Sequence, residues 1–443
     1  MMPGSPLAAR ADRTLRYTGG LQPEIPAGIT SGTATTATIP GQIAILTAVN
    51  TLARAHPEII LALPDPPLLI PSPAGGTTLV DACRKLIAAA SPDVTMCTAT
   101  HLAPGILSMG IGHDAGAATI YAGGARWTAH TSGTRPQPIT ADPSSALGAG
   151  LAVTLAAGYI FRAAIGLPGV ADRGISLWAL APAAEPTGPV SFGPVAVGSA
   201  WLVGAGAVGS CLAWWLQFTG VDGAWTVIDG DIANDTNLNR SLGLFAVHTG
   251  TGGQEPVPKS DAAAALIPGA VSYPRWWEDW AATGPEPPDV LIPVANEHGI
   301  RPAIAAYGPP AAIHATTSRD WTAELHRHLP GQDGCIACRL PERSPAFACA
   351  TGATRLAGHD PGRDAALPFL SAAAGVLLLS GLLQLQHGRW HTHGRNHWRL
   401  WFDQSPRPVQ SSRWLCGPSC RSTPVPAVRH AIHGATRWYR TGP

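Results

Sequence analysis

The sequence predicts an α/β fold carried by a mainly parallel sheet, and three observations predict it. Beyond position 199, short apolar runs of strand length alternate with helical patterns. The first of these runs passes into a helix through a turn with glycines at 204, 206 and 209, the Rossmann-like arrangement. The chain has 443 residues, too many for one ordinary core, so two domains or two related halves are expected.

In the first half, residues 1–40 are rich in Thr, Gly and Pro and read as an arm. A helix is expected over 43–54, a strand over 58–63 and a helix over 78–90. A hairpin over 117–121 and 125–130 would turn at Gly123-Gly124. Residues 146–164 form a helix of small residues. The Pro-, Gly- and Ala-rich stretch 166–193 ends in a domain boundary, dividing the chain into 1–40, 41–192 and 193–443.

In the second half, strands are expected over 200–203, 225–228, 289–294 and 311–315. Helices are expected from the glycine turn to about 218, over 259–266 and over 301–307. No short-period repeat is evident. Residues 365–386 carry no charge and are long enough to span a bilayer. Their Pro, Ser and Gln residues and polar flanks favour a buried helix.

Composition narrows the function classes. With 45% hydrophobic and 13% charged residues the chain is not disordered. A net charge of +1 without a basic run gives no electrostatic pointer to nucleic acid or a membrane surface. Residues 1–18 lack the apolar core of a signal peptide, and a cytoplasmic protein is expected. Five of the eight cysteines lie at or beyond 335. In a chain without export signals this favours metal binding or catalysis over a disulfide framework.

The glycines have separable roles. Gly204 permits the tight turn, Gly206 lets a phosphate approach the backbone, and Gly209 packs helix on strand. The N–H groups and dipole of the following helix favour an anion. Asp229 ends the next strand, twenty residues beyond Gly209, where a carboxylate can accept hydrogen bonds from ribose hydroxyls. These residues indicate a nucleotide without distinguishing a dehydrogenase from an adenylyltransferase.

The run Asp229-Gly-Asp231-Ile-Ala-Asn-Asp-Thr-Asn237-Leu-Asn239-Arg240, then Leu244-Phe245 and Lys259, resembles the pattern D-x-D-x-V-x-x-x-N-L-x-R-Q-x-L-F followed by a G-x-x-K lysine. That pattern belongs to the ubiquitin-activating/ThiF/MoeB/HesA superfamily of adenylyltransferases, and the likeness runs from about Ser199 to the C-terminus. It implies the Rossmann-like adenylation fold, with Asp229 on ribose and Asn237, Arg240 and Lys259 on phosphates. Asp231 and Asn296 join that nucleotide-binding set, and ATP and Mg2+ are the implied cofactors. Arg offers phosphate a planar fork and Lys a compact charge as pyrophosphate leaves. Ser241 replaces the family glutamine, Leu244-Phe245 comes one residue late, and Pro256 replaces the glycine before the lysine. Ala295 stands where the family has a magnesium-binding aspartate, leaving Glu297 or Asp364 as carboxylates that could substitute.

Cys335-Ile-Ala-Cys338 and Cys416-Gly-Pro-Ser-Cys420 are two pairs suited to one tetrahedral Zn2+. The superfamily often carries such pairs in these places. Buried thiols, or redox work by the first pair, are the other readings. Cys349 lies in the segment where the family can carry a thioester-forming nucleophile; a small buried thiol is its other reading. His314 lies at an expected strand end, His326 and His328 flank Arg327, and His387, His391, His393 and His397 read as a solvated loop rather than a metal site.

The superfamily works as two adenylation folds face to face, by homodimer or by fusion of an active and an inactive half. The first half lacks a glycine turn, a ribose acid and paired cysteines. Its 147–162 helix is similar to that at 370–386, so it is expected to be a degenerate adenylation-like partner. Arg10, Arg13 and Arg16 read as a basic tail, although the family's arm can send a guanidinium into the active site. The function implied is adenylation of the C-terminal carboxylate of a ubiquitin-like or carrier protein, with a conjugating enzyme as a further partner. Adenylation of a peptide or amino acid in natural-product chemistry, or a nucleotide-binding scaffold without catalysis, are the alternatives. An NAD-dependent oxidoreductase is disfavoured by Asn237, Arg240 and Lys259.

Overall fold

Strand order repeats between the two halves of this computed structural model. It describes residues 13–191, 193–251, 253–296, 299–309, 311–330, 332–339, 366–392, 394–403, 408–417 and 420. Among these, β1 (Ala27–Ser31), β2 (Glu58–Ala62), β3 (Thr95–Thr98), β4 (Ser108–Ile111), β5 (Ile120–Ala125), β6 (Thr128–Ser132), β7 (Arg173–Ser176) and β8 (Ala181–Pro182) form one sheet. Its order is β3-β2-β1-β4-β5-β6-β7-β8. The second sheet contains β9 (Ala200–Val203), β10 (Trp225–Ile228), β11 (Val271–Tyr273), β12 (Val290–Pro293), β13 (Ala312–Ser318), β14 (Thr322–His328), β15 (His397–Trp401) and β16 (Val409–Ser412). Its order, β11-β10-β9-β12-β13-β14-β15-β16, is the same arrangement advanced by eight strands. In each sheet the first five strands in this order pair in parallel, and the last three are added antiparallel. The expected α/β class with a mainly parallel sheet therefore holds for both halves.

Helices α1 (Ile39–Leu52), α2 (Leu79–Ala90) and α3 (Ser145–Ala164) accompany the first sheet. α4 (Ala207–Thr219), α5 (Lys259–Ala264), α6 (Trp277–Ala282), α7 (Ile300–Tyr307) and α8 (Pro368–Gln386) accompany the second. Thr38 and Thr78 cap α1 and α2 by accepting from Gly41 N at 3.1 Å and Asp81 N at 3.4 Å, satisfying amides that the first turn leaves open. α1, α3, α4 and α8 meet between the sheets. Small residues permit the approach: a Cβ on Gly150 of α3 would lie 2.3 Å from the Trp215 ring of α4. The two buried α4 indoles find acceptors, Trp214 Nε1 donating to Thr47 Oγ1 at 3.1 Å and Trp215 Nε1 to Ala372 O at 3.2 Å. Every α8 residue from Pro368 to Leu385 is buried. α8 and α3 are long and apolar enough to cross a membrane, but here they are core helices.

Two expectations are corrected. The arm does not extend to residue 40, because β1 is the third strand of the first sheet and the helical turn Thr33–Thr36 follows it. Its Ala-Gly-Ile-Thr-Ser composition hid a fully buried strand. The β5–β6 hairpin turns at Arg126, with φ +55°, and not at Gly123-Gly124. Those glycines lie within β5 because α3 crosses it closely: a Cβ on Gly124 would sit 2.2 Å from Ala149 N.

Candidate nucleotide site and thiol cluster

β9 delivers the chain to Gly204, whose φ of +99° suits glycine. A Cβ there would lie 2.6 Å from Ala295 N. Gly206 precedes α4, and a Cβ on it would meet nothing within 4 Å, so its backbone faces open space. Gly209 is behind the turn, where a Cβ would come 2.0 Å from Gly204 O.

A cavity of about 260 Å³ opens at this turn. Gly204, Gly206, Asp229, Asp231, Asn237, Arg240, Lys259 and Asn296 all line it. Asp229, 8% exposed, accepts from Ala205 N at 2.6 Å and Asp231 N at 2.8 Å. It thereby ties the end of β10 to the glycine turn. Burial pushes its carboxyl above the ordinary value, against those two hydrogen bonds and the Lys259 charge. Lys259 begins α5, donates its backbone N–H to Asp231 O at 2.9 Å and pairs its ammonium with the Asp231 carboxylate. Asn237 Oδ1 accepts from Asn234 N at 3.0 Å and closes the turn that carries Arg240. Arg240 donates to Asn239 Oδ1 at 3.0 Å and to Thr236 O.

Two further cations line this cavity: Arg13, for which the sequence favoured a basic tail, and Arg301, to which it gave no role. Arg13 is not part of a free basic tail. Residues 13–18 are helical, and Tyr17 anchors them by donating to Ser318 O at 2.6 Å and accepting from Trp321 N at 2.9 Å. Arg301, 2% exposed, comes from α7; the sequence shows it after the Ala295 segment without indicating that it turns inward. Among the described residues, four cations thus face the cavity against two carboxylates, Asp229 and Asp231. Such a balance beside the α4 N-terminus suits a polyanion.

Ala295 packs on Gly204 and brings no carboxylate. Glu297 and Asp364, the expected substitutes, lie outside the described residues, as do Cys349, Arg10 and His393. A smaller hollow beside Asp229 is lined by Arg275, Trp276, Trp277 and Ile300. The Trp276 indole lies against Gly230, where a Cβ would be 2.5 Å from the ring.

The two cysteine pairs converge. Ligand atoms of Cys335, Cys338, Cys416 and Cys420 all lie within 4.8 Å of one another. The Cys335 and Cys420 sulfurs are 3.6 Å apart, far beyond a disulfide bond of about 2.05 Å and close to the edge of a tetrahedron with bonds of about 2.3 Å. Cys335 N donates to Cys416 Sγ at 3.1 Å and Cys338 N to Cys335 Sγ at 3.4 Å. Burial pushes the Cys335, Cys338 and Cys416 thiols up to about 11; a divalent cation would reverse that preference.

Of the four histidines expected in a solvated loop, the two whose side chains are described lie elsewhere. His387 caps α8 beside the Trp178 ring, whereas His397 is buried on β15 beside His326.

A family model described as the BilD N-terminal domain matches residues 27–177. Those limits begin at β1 and end just past β7, so the match concerns the first sheet, whereas the nucleotide motif lies in the second. No curated protein matches the chain. Among solved structures, E. coli MccB with AMPCPP and MccA is similar at 14% identity and a TM-score of 0.37, covering 51% of this chain and 67% of that one. E. coli MccB with ATP is similar at 15% identity and a TM-score of 0.37, covering 51% and 66%.

Proposed function

We propose that this chain adenylates a carboxylate with ATP, on one observation: a glycine turn, a ribose-type acid and four cations converge on a single cavity. The backbone at Gly206 and the start of α4 would receive phosphate oxygens, and Asp229 the ribose. The hollow against Trp276 would take the base. A carboxylate oxygen of the substrate attacks the α-phosphorus, the bond to the bridging oxygen breaks, and pyrophosphate departs. Arg240, Lys259, Arg13 and Arg301 stabilise the charge that gathers on the leaving group, an effect greatest in the transition state. Asp231, with Asp229, is the carboxylate suited to hold magnesium, which would neutralise phosphate charge.

The substrate class that fits the motif resemblance is the C-terminal carboxylate of a ubiquitin-like or carrier protein. Cys349 would then attack the acyl-adenylate, forming a thioester and releasing AMP. A peptide or free amino acid is the other carboxylate source. The first half is proposed as a non-catalytic copy that makes the chain a pseudo-dimer. Asp114 occupies the position where that half would bind phosphate, accepting from Ala34 N at 2.7 Å and Thr35 N at 3.3 Å.

Ala295 favours a second reading, a nucleotide-binding scaffold without catalysis. Exchange of labelled pyrophosphate into ATP, with the cognate carboxylate present, separates the two. Wild type should exchange, whereas Arg240→Ala and Lys259→Ala should each lose on the order of a hundredfold. Cys349→Ala should retain exchange and lose only a thiol-sensitive adduct. ATP binding without exchange puts the scaffold first, and thermal protection by NAD but not ATP rejects both.

A further inference from the structure

Two imidazoles and a carboxylate converge on the second sheet outside the nucleotide cavity. Glu324 and His326 lie two residues apart on β14 and so share one face of the strand. His397, on β15, is the cross-strand partner of His326. All three are buried, at 4%, 1% and 7% exposure. One carboxylate oxygen is the focus: Glu324 Oε2 lies 2.9 Å from His397 Nε2 and 3.5 Å from His326 Nε2. The ligand atoms all fall within 4.8 Å of one another.

The surroundings orient these groups as the outer shell of a metal site does. The other Glu324 oxygen is engaged by Arg399 Nε at 2.8 Å, leaving Oε2 directed at the imidazoles. His397 Nε2 donates to Glu324 Oε2, and its Nδ1 lies 2.8 Å from Ser412 Oγ; an ion would take the place of the Nε2 proton, with Nδ1 then donating to that hydroxyl. Metal bonds of about 2.0–2.1 Å place tetrahedral donors roughly 3.3–3.4 Å apart, between the two separations observed. Two imidazoles and one carboxylate are a donor set for zinc.

We propose that Glu324, His326 and His397 form a second metal site, for a zinc-class divalent cation, separate from the four cysteines. The site would clamp β14 to β15. The His326 and His397 rings now stack with 9° between their planes, so binding tilts one ring until both lone pairs converge. The inference is independent of the nucleotide reading and of whether the cysteines hold metal.

The test is metal counting on the full chain after incubation with zinc and removal of the excess. A thiol-blocking mercurial ejects zinc from thiolates and leaves an imidazole–carboxylate site loaded. The expected result is one zinc ion per chain that resists the mercurial and is released by chelator after acidification, beside any ion held by the cysteines. His326→Gln with His397→Gln should remove the resistant ion, and Cys335→Ser should leave it. Cobalt at the resistant position should show no thiolate charge-transfer absorption. Release of all zinc by the mercurial, or retention of the resistant ion by the double variant, overturns the proposal. The mercurial result on wild type decides the matter even if a variant does not fold.

Discussion

Replacing Arg54 tests whether the first half holds the second half's nucleotide loop in place. Arg54 lies two residues beyond α1 and is buried. Its guanidinium donates to Leu244 O at 2.9 Å, Leu242 O at 3.3 Å and Leu238 O, while Nε donates to Asn50 Oδ1 at 3.0 Å. These carbonyls belong to the segment that carries Asn237 and Arg240. In Arg54→Met, Leu242 O keeps the Asn50 amide at 3.0 Å, but Leu238 O and Leu244 O lose the guanidinium. An orphaned buried acceptor costs about 1–3 kcal/mol, and relief of the buried charge offsets part of that. A net loss of roughly 2–4 kcal/mol is expected, a fall of about 2–4 °C in the unfolding midpoint for a chain of this length. ATP affinity should drop about tenfold, the equivalent of ~1.4 kcal/mol, although residue 54 does not line the cavity. Differential scanning fluorimetry with and without ATP, together with calorimetric titration, measures both effects. Arg84→Ala is the control: its exposed guanidinium is 3.7 Å from Asp81, and removing it should be nearly neutral. A midpoint within about 1 °C of wild type and unchanged ATP affinity in Arg54→Met would refute the clamp.

Further outcomes are expected. The four-cysteine cluster should hold one zinc ion, and Cys335→Ser should lower stability more than it lowers ATP affinity; zinc-free protein with four titratable thiols would contradict this. Burial lowers the His56 pKa from 6.5 to about 4, so the folded chain keeps this ring neutral while the unfolded chain protonates it. Stability should therefore fall as pH drops from about 6.5 to 4, by ~3 kcal/mol in all. His56→Gln should flatten that window in pH-dependent denaturation, and an unchanged slope would count against the assignment. Because Asp114 occupies the equivalent turn of the first half, titration should give one ATP per chain, and two would show that the plug is displaced.

Local pattern made part of this architecture readable. β9 and β10 coincide with the expected 200–203 and 225–228 because apolar runs end there at a glycine turn and an acid. Close spacing likewise paired the cysteines, since two thiols on one turn need little of the fold to bring them together. β1 was not readable, because burial on both faces does not require an apolar composition when Ser31 can donate to Ile111 O at 2.7 Å. Gly123-Gly124 looked like a turn because the crossing of α3, which excludes a side chain there, is a tertiary fact. Arg13 reaches the cavity through Tyr17 and a strand end about 300 residues away. His326 and His397 meet through strand register. Spacing along the chain carries no trace of either contact.

The two sheets share an order but have opposite arrangements at their first turns, and this difference bears on why both halves are present. In the second half the backbone at Gly206 is left facing space, and Asp229 draws the turn back from one side. In the first half a carboxylate enters the turn itself: a Cβ on Gly32 would lie 2.4 Å from Asp114 Oδ2. Asp114 satisfies amides that a phosphate would otherwise meet, and its negative charge repels that phosphate. Under the proposed function the first half would instead support the site it does not contain. Asn50 and Arg54 brace the segment behind Arg240, Thr14 Oγ1 accepts from Asn239 Nδ2 at 3.5 Å, and Arg13 faces the cavity. A positioning role needs rigid donors at fixed places, which a sheet with its own core supplies, and it needs no nucleotide. Under the proposed function, filling the first turn with Asp114 would remove a competing anion site while leaving intact the surface that holds the second site in shape.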